Sequence, residues 1–224
     1  MIKGGSFMLK LIPPGLKKCF EDHGLWLASN REHGQRAVLE GFDLSNLNLQ
    51  GVRLKGANLL GADMTGVQLR AADLTGANLV GCRLENAGLQ WVNLAAADLS
   101  EASIAGAHLQ FTNFSGAILE STGFENARLH NTWFWRSVCT GSDFTRACFH
   151  FVSFTSAHLK EARFERAVFR HTEFDYANLE ACNFSNASIA LCNTVGARFD
   201  QCNFSGTNFI QVDLPMANQA DGST

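Results

Sequence analysis

Histidines and cysteines have the widest chemical range of the residues in this sequence, and their spacing limits what they can do. His130 and His150 lie 20 residues apart, His171 follows them, and His23 stands near the start of the chain beside Trp26. The seven cysteines include no Cys-x-x-Cys pair. Because imidazole and thiolate are preferred ligands of zinc, each of these groups is a metal-site candidate by residue type.

A metal site is nevertheless not expected at these positions. Neither a cysteine nor a carboxylate is expected on the face that carries His130 and His150, so this pair is predicted to be solvated. His23 is predicted to pack beside Trp26 in a terminal cap. No nucleophile, base and orienting residue converge in the sequence pattern, and no phosphate-binding glycine loop is present. The sequence therefore predicts a non-enzyme, with no catalytic residues, no metal and no cofactor.

A five-residue period must position all of these side chains. From Leu39 to Leu214, every fifth residue is Leu, Phe, Met or Ile, except at Cys139 and Thr194. We call these residues the centres. A small residue usually stands two places before a centre, and Gly is frequent two places after it. The register never slips along the repeats, so no inserted loop is expected.

Neither an α-helix nor a flat strand places every fifth residue inside, but a four-sided coil of four pentapeptides does. The centre and the small residue would point inward, because the narrow interior accepts one large side chain per side. Successive coils would pair by parallel backbone hydrogen bonds about 4.8 Å apart. Residues 20 apart then stack, so Phe124, Phe144 and Phe164 are predicted to form an internal column, with a second through Phe134 and Phe154.

The repeated pattern, as in "ANLLGADMTG" at 57–66, resembles that of the pentapeptide-repeat family. The resemblance covers about four-fifths of the chain and implies an all-β fold, a right-handed quadrilateral parallel β-helix of about nine coils. The recurrent Asp or Asn before each centre is predicted to bond to backbone at turns. Cys182 and Cys202 should stack, which allows a disulfide by distance, but buried thiols that fill space are the favoured interpretation.

The ends of the chain are predicted to differ from the repeats. Segment 1–36 should carry a capping helix with an apolar stripe at spacings of three and four, preceded by two prolines. The β-helix is assigned to 37–214 and a polar tail to 215–224. Because a stacked rod leaves an open strand edge at each end, and family members often dimerise there, an end-to-end homodimer is one expectation.

No segment of the chain reads as a signal peptide or as a membrane span. The odd number of cysteines and their positions on the repeat favour reduced thiols. A cytoplasmic, bacterial protein without membrane contact is therefore expected.

The unbroken register assigns every outward residue to one of four faces. One face has no Asp or Glu and carries arginines together with His130, His150 and His171. The opposite face is acidic, with seven carboxylates against Lys160 and Arg198. Trp91, Phe111 and Phe151 should share one corner column, and Trp133 and Trp135 are expected to join them in one exposed patch. Contiguous apolar patches of this kind mark interaction sites. These eight aromatic and histidine residues are the predicted partner-binding residues.

Two functions from different classes follow. The first is a non-catalytic scaffold for protein–protein interaction, with an unidentified protein partner or a second copy bound at the aromatic corner and basic face. The second is a DNA mimic that modulates a type II topoisomerase, DNA gyrase, as the resemblance to quinolone-resistance members implies. The acidic face carries far fewer charges per length than the one charge per about 1.7 Å of duplex DNA, so the scaffold is preferred. Direct nucleic-acid binding is not expected.

Overall fold

The structure, a computed structural model, describes residues 12–212 as a parallel β-solenoid preceded by one helix. A backbone turn recurs every five residues, and every backbone bridge joins residues 20 apart, from Val38 with Asn58 to Asn183 with Asn203. This confirms the predicted coil. Residues 1–11 and 213–224 lie outside the described residues, and the predicted boundaries at 36/37 and 214/215 stay predictions.

Within residues 12–212, regular strands occur on only one side of the solenoid. They form a single sheet in the order β1 to β6, in which every neighbouring pair is parallel and in register. The six strands are β1 (His108–Gln110), β2 (Arg128–His130), β3 (Cys148–His150), β4 (Val168–Arg170), β5 (Ser188–Ala190) and β6 (Asn208–Ile210). The regular strands span about five turns, fewer than the nine coils expected, and the coils from Val38 up to β1 are joined by single bridges alone. Elsewhere each side is joined by single bridges, because little extended backbone remains between two corners.

The interior is mostly apolar, and its large side chains are mainly aromatic in the second half of the solenoid. Centres and the small residues before them are buried, as predicted. Phe124, Phe144 and Phe164 stack in one column, with ring centroids 4.6 Å and 5.0 Å apart. Phe134 and Phe154 stack in the second column at 4.6 Å, and rings of the two columns meet edge to face. Both contact types are favourable arrangements of aromatic rings, and stacking fixes the 20-residue register from inside.

Asn, Asp and Cys side chains in the coils form hydrogen bonds that stabilise the turns and join neighbouring coils. Asn78 accepts a bond from the amide of Val80 and donates to Asn58 in the coil below, at 3.2 Å and 3.0 Å. This confirms a turn role for the recurrent Asp and Asn. The thiols of Cys182 and Cys202 are free, and each donates to a backbone carbonyl 23 residues earlier. They fill space and bond to backbone, as favoured, and do not form a disulfide.

Helix α1 (Pro14–Ala28) covers the first coil. Leu16 and His23 are its buried residues. The Nδ1 atom of His23 accepts a bond from the amide of Ala37 at 3.0 Å, and its ring stacks on Trp26 with centroids 5.3 Å apart. The predicted cap role of His23 is therefore confirmed. Within residues 12–212, no helix combines the length and apolar content that a bilayer span requires.

Candidate functional site

The side of the solenoid that carries β1 to β6, together with the corner that follows it in each coil, forms a surface that we call the sheet face. Its outward positions from 48 to 211 hold no Asp or Glu. Arg128 and Arg170 are exposed on it, and exposed Arg146 and Arg166 stand at the corner that precedes it. Within the described chain, none of the four arginines forms an ion pair. A shallow depression of about 450 Å³ opens among β1 to β4. The face is electropositive and suited to anions.

A histidine pair lies in this depression. The Nδ1 atoms of His130 and His150 are 3.0 Å apart, as the parallel pairing of β2 with β3 requires. One of the two nitrogens must therefore carry a hydrogen atom and donate a hydrogen bond to the other. Burial lowers the pKa of His150 below its ordinary value, and the positive charge of its neighbours, including Arg170, lowers it further. The neutral form of His150 is therefore favoured in the absence of a bound anion.

The corner column at positions 91, 111, 131, 151, 171 and 191 is largely aromatic, and we call it the aromatic corner. Trp91 stacks on Phe111 with ring centroids 4.1 Å apart. Phe151 stacks on His171 at 4.8 Å. Trp91, Phe151 and Leu191 are between 44% and 53% exposed. The predicted corner column is therefore present, with partly exposed rings.

His130 closes a gap that the sequence left in this column. Asn131 occupies the corner between Phe111 and Phe151 and has no ring. The His130 imidazole meets the edges of both rings, at centroid distances of 6.4 Å and 6.2 Å, and His150 lies 4.3 Å from Phe151. The corner and the histidine pair thus form one continuous contact network. Sequence reasoning missed the bridge because it assigned His130 only to the flat part of the face.

The corner holds these residues in a backbone conformation that most side chains avoid. Many corners carry Gly, such as Gly56 with φ of 67°. At the aromatic corner φ is 62° at Trp91, 54° at Phe111 and 54° at Phe151. A bulky residue in this left-handed region costs about 1–2 kcal/mol.

Trp133 and Trp135 lie apart from the aromatic corner. Both are exposed, at 43% and 46%, on the next side of the solenoid. Arg136 stacks over the Trp135 ring at 4.3 Å. Within residues 12–212, neither tryptophan makes a ring contact with Trp91, Phe111 or Phe151. The single exposed patch of all five rings therefore stays a prediction.

On the acidic face, both cations form ion pairs with carboxylates. Lys160 donates to Glu180 at 2.9 Å, and Arg198 lies 3.0 Å from Asp200 and 3.8 Å from Glu180. The exposed carboxylates without an ion pair in the described chain include Glu101, Glu120 and Glu161.

The sheet face carries one potential metal ligand that the sequence analysis did not expect. Cys148 is exposed on β3, two residues from His150, although no cysteine was expected there. It was overlooked because it stands directly before a centre, whereas most of the other cysteines stand two places before one. Within the described residues, no group of three His, Cys, Asp or Glu side chains is placed to hold a metal ion.

Comparisons with known proteins agree with the fold. The family model described as "Pentapeptide repeats" matches residues 35–70, 68–90, 82–120, 124–160, 147–186 and 182–218. The solved structure of HetL, a pentapeptide repeat protein involved in heterocyst differentiation regulation in the cyanobacterium Nostoc sp. strain PCC 7120, is similar, with a TM-score of 0.74 and 22% identity over 77% of this chain and 78% of HetL. QnrB1, a plasmid-mediated fluoroquinolone resistance protein, is similar with a TM-score of 0.53 and 16% identity over 77% of this chain and 91% of QnrB1. No match was found among curated proteins.

Proposed function

The chain belongs to the pentapeptide-repeat family, and from this premise we propose that it is a non-catalytic scaffold that binds a protein through its aromatic corner and sheet face. The observation that carries the proposal is the contact network from Trp91 through Phe111, His130 and Phe151 to His171. It is partly exposed, and its corner residues stand in strained backbone positions.

Several properties of the network are typical of protein interfaces. Aromatic residues and arginine are enriched in interface cores. The side chains are held on a rigid solenoid whose rings are already stacked, so little conformational entropy is lost when a partner docks. The depression beside them is open and shallow, and although Cys148 and three histidines line it, no hydrogen bond joins the Cys148 thiol to an imidazole within the described residues. These features support binding rather than catalysis.

The proposal is tested by placing a photo-crosslinking phenylalanine analogue at position 111 and, separately, at position 176. Tyr176 is the matched control, because it is an exposed aromatic residue in the same corner conformation (φ 57°) on another column. In the source cell, a specific protein should cross-link at 111 and not at 176. The double variant Trp91→Ala with Phe111→Ala should lose that protein, whereas Tyr176→Ala should retain it. Equal cross-linking at both positions would contradict the proposal.

A second copy of the chain is one candidate partner, and the tryptophans can be tested separately. Sedimentation at increasing protein concentration shows whether the chain self-associates and whether the corner variant abolishes this. Trp133→Ala with Trp135→Ala asks whether the interface extends to the adjoining side. If only this pair of substitutions removes the partner, the interface lies there and the corner is excluded.

A second proposed function is a DNA mimic acting on gyrase. It is favoured by the unpaired carboxylates Glu101, Glu120 and Glu161 and by the likeness in fold to QnrB1. It is weakened by the ion pairs of Lys160 and Arg198. A supercoiling assay with purified gyrase, with and without a quinolone, tests it. An effect of micromolar protein that disappears when all three glutamates become Gln would support it, and no effect of the unaltered protein would remove it.

A further inference from the structure

The histidine pair has two protonation states that differ in what they can bind. In the neutral pair, one Nδ1–H donates to the other Nδ1 across 3.0 Å. One ring then has a bare Nε2 and the other an Nε2–H. A proton added to the bare Nε2 leaves the Nδ1–Nδ1 bond intact and gives two Nε2–H donors. Only the protonated pair therefore offers a donor to each oxygen of a carboxylate.

The surroundings of the pair favour an anion. Within the described chain, the Nε2 atoms of His130 and His150 have no hydrogen-bond partner, and neither is among the buried unsatisfied atoms. They are thus open to solvent. The ionisable groups that face the pair are His108 on β1, Arg128 on β2, Cys148 on β3, Arg170 on β4 and His171 at the corner, and no carboxylate stands on this face.

We propose that His130 and His150, flanked by Arg128 and Arg170, form an oxyanion site that binds a carboxylate of an acidic polypeptide segment and takes up one proton as it binds. This rests on the proposed scaffold function and defines its partner. The proton goes to the bare Nε2, and the two arginines supply further charge-assisted hydrogen bonds. Affinity therefore rises as pH falls towards the histidine range.

The extent and edges of the site favour a polypeptide over a nucleic acid. The cationic residues on the strands occupy only β2 to β4, three coils that span about 10 Å at the usual strand spacing. An extended peptide places alternate side chains about 6.8 Å apart, so two carboxylates fit this length. Binding to nucleic acid depends on neutralising phosphates along the backbone, as in proteins that make about 6–10 phosphate contacts, and this site offers only two arginines. The aromatic corner also adjoins the pair through Phe151, at 4.3 Å from His150, and can hold an apolar side chain of the same segment.

The probe for the test is an eight-residue peptide of alternating Glu and Ser with one central Phe in place of a Ser. Calorimetric titration should show binding that is about tenfold tighter at pH 6 than at pH 8. Titration in two buffers of different ionisation enthalpy should show uptake of close to one proton. A peptide with Gln in place of Glu should not bind. Equal binding of both peptides would overturn the proposal.

Two sets of variants separate what the arginine charges contribute to peptide binding from what proton uptake by the histidine pair contributes. Arg128→Gln with Arg170→Gln should weaken binding about tenfold or more, and the matched control Arg83→Gln with Arg163→Gln removes the same charge from another face and should not. His130→Gln with His150→Gln should abolish the dependence on pH and the proton uptake. A pH dependence that survives this variant would refute the role of the pair.

Two further outcomes decide between ligand classes. Tighter binding of a ten-residue oligothymidylate than of the acidic peptide would replace the proposal with nucleic-acid recognition. Binding of Zn²⁺ at micromolar concentration that displaces the peptide would mean that the pair is a metal site. If the peptide fails to bind while the corner variant still loses its cross-linked protein, the oxyanion site is wrong and the scaffold function stands.

Discussion

The cap formed by helix α1 allows one prediction to be worked out in detail. His23 is fully buried, and its Nδ1 is the acceptor for the amide of Ala37 at 3.0 Å. Replacing His23 with Phe keeps a ring against Trp26 but leaves that amide without an acceptor. An unsatisfied buried donor costs about 1–3 kcal/mol. Phe also removes the buried Nε2 of His23, which has no hydrogen-bond partner in the described residues. The free energy of opening the cap should therefore fall by no more than that amount.

Hydrogen exchange measured residue by residue is the appropriate assay, because repeat proteins open locally while the rest stays folded. In His23→Phe, the Ala37 amide and the α1 amides should exchange faster, by up to about 150-fold. Amides in β1 to β6 should not change. The matched control is His33→Gln, since His33 is exposed just after the helix. An unchanged exchange rate at Ala37 would refute the assigned hydrogen bond.

The same histidine makes the cap sensitive to acid. Burial lowers the pKa of His23 below its ordinary 6.5, and the nearby positive charges of Arg36 and Arg53 lower it further. The open cap therefore binds more protons than the closed one, so its stability is complete above pH 6.5 and falls as pH drops below that value. Intrinsic amide exchange slows as pH falls, so it is the exchange at Ala37 relative to the intrinsic rate that should accelerate on acidification in the wild type and in His33→Gln. His23→Phe should lack this acceleration, and its persistence there would assign the effect to another group.

Three further predictions concern the coils. Phe144→Leu should lower the free energy of unfolding by about 1–3 kcal/mol, because two stacked partners at 4.6 Å and 5.0 Å are lost, whereas Phe204→Leu in the last described coil should cost less in the same denaturant titration. Thr122→Val removes a hydroxyl that donates to a backbone carbonyl at 2.8 Å and should cost about 1 kcal/mol by that assay; no loss would deny the bond a role. Ellman's reagent should modify exposed Cys148 first, because burial raises the pKa of Cys139 to about 12; a fast phase that survives Cys148→Ser would contradict this.

The period of five was sufficient to predict most of the fold. The interior has room for one large side chain per side. Centres such as Leu59 and Phe144 therefore had to point inward, whatever the other residues of their coils were. The coil, the phenylalanine columns, the helix and the cap role of His23 were all predicted by such local constraints. The number of regular strands was not, since it depends on how much extended backbone each corner leaves.

The surface required three-dimensional contacts. Adding 20 to a residue number correctly stacked His130 under His150 and Trp91 under Phe111, because backbone pairing enforces that register. It did not show that His130 would turn towards Phe111 and Phe151, or that Trp135 would lie against Arg136. The direction of an outward side chain depends on its contacts with residues on other coils and other sides of the solenoid. The sequence by itself determined which residues face outward and on which side, whereas only the tertiary structure decided which of them touch.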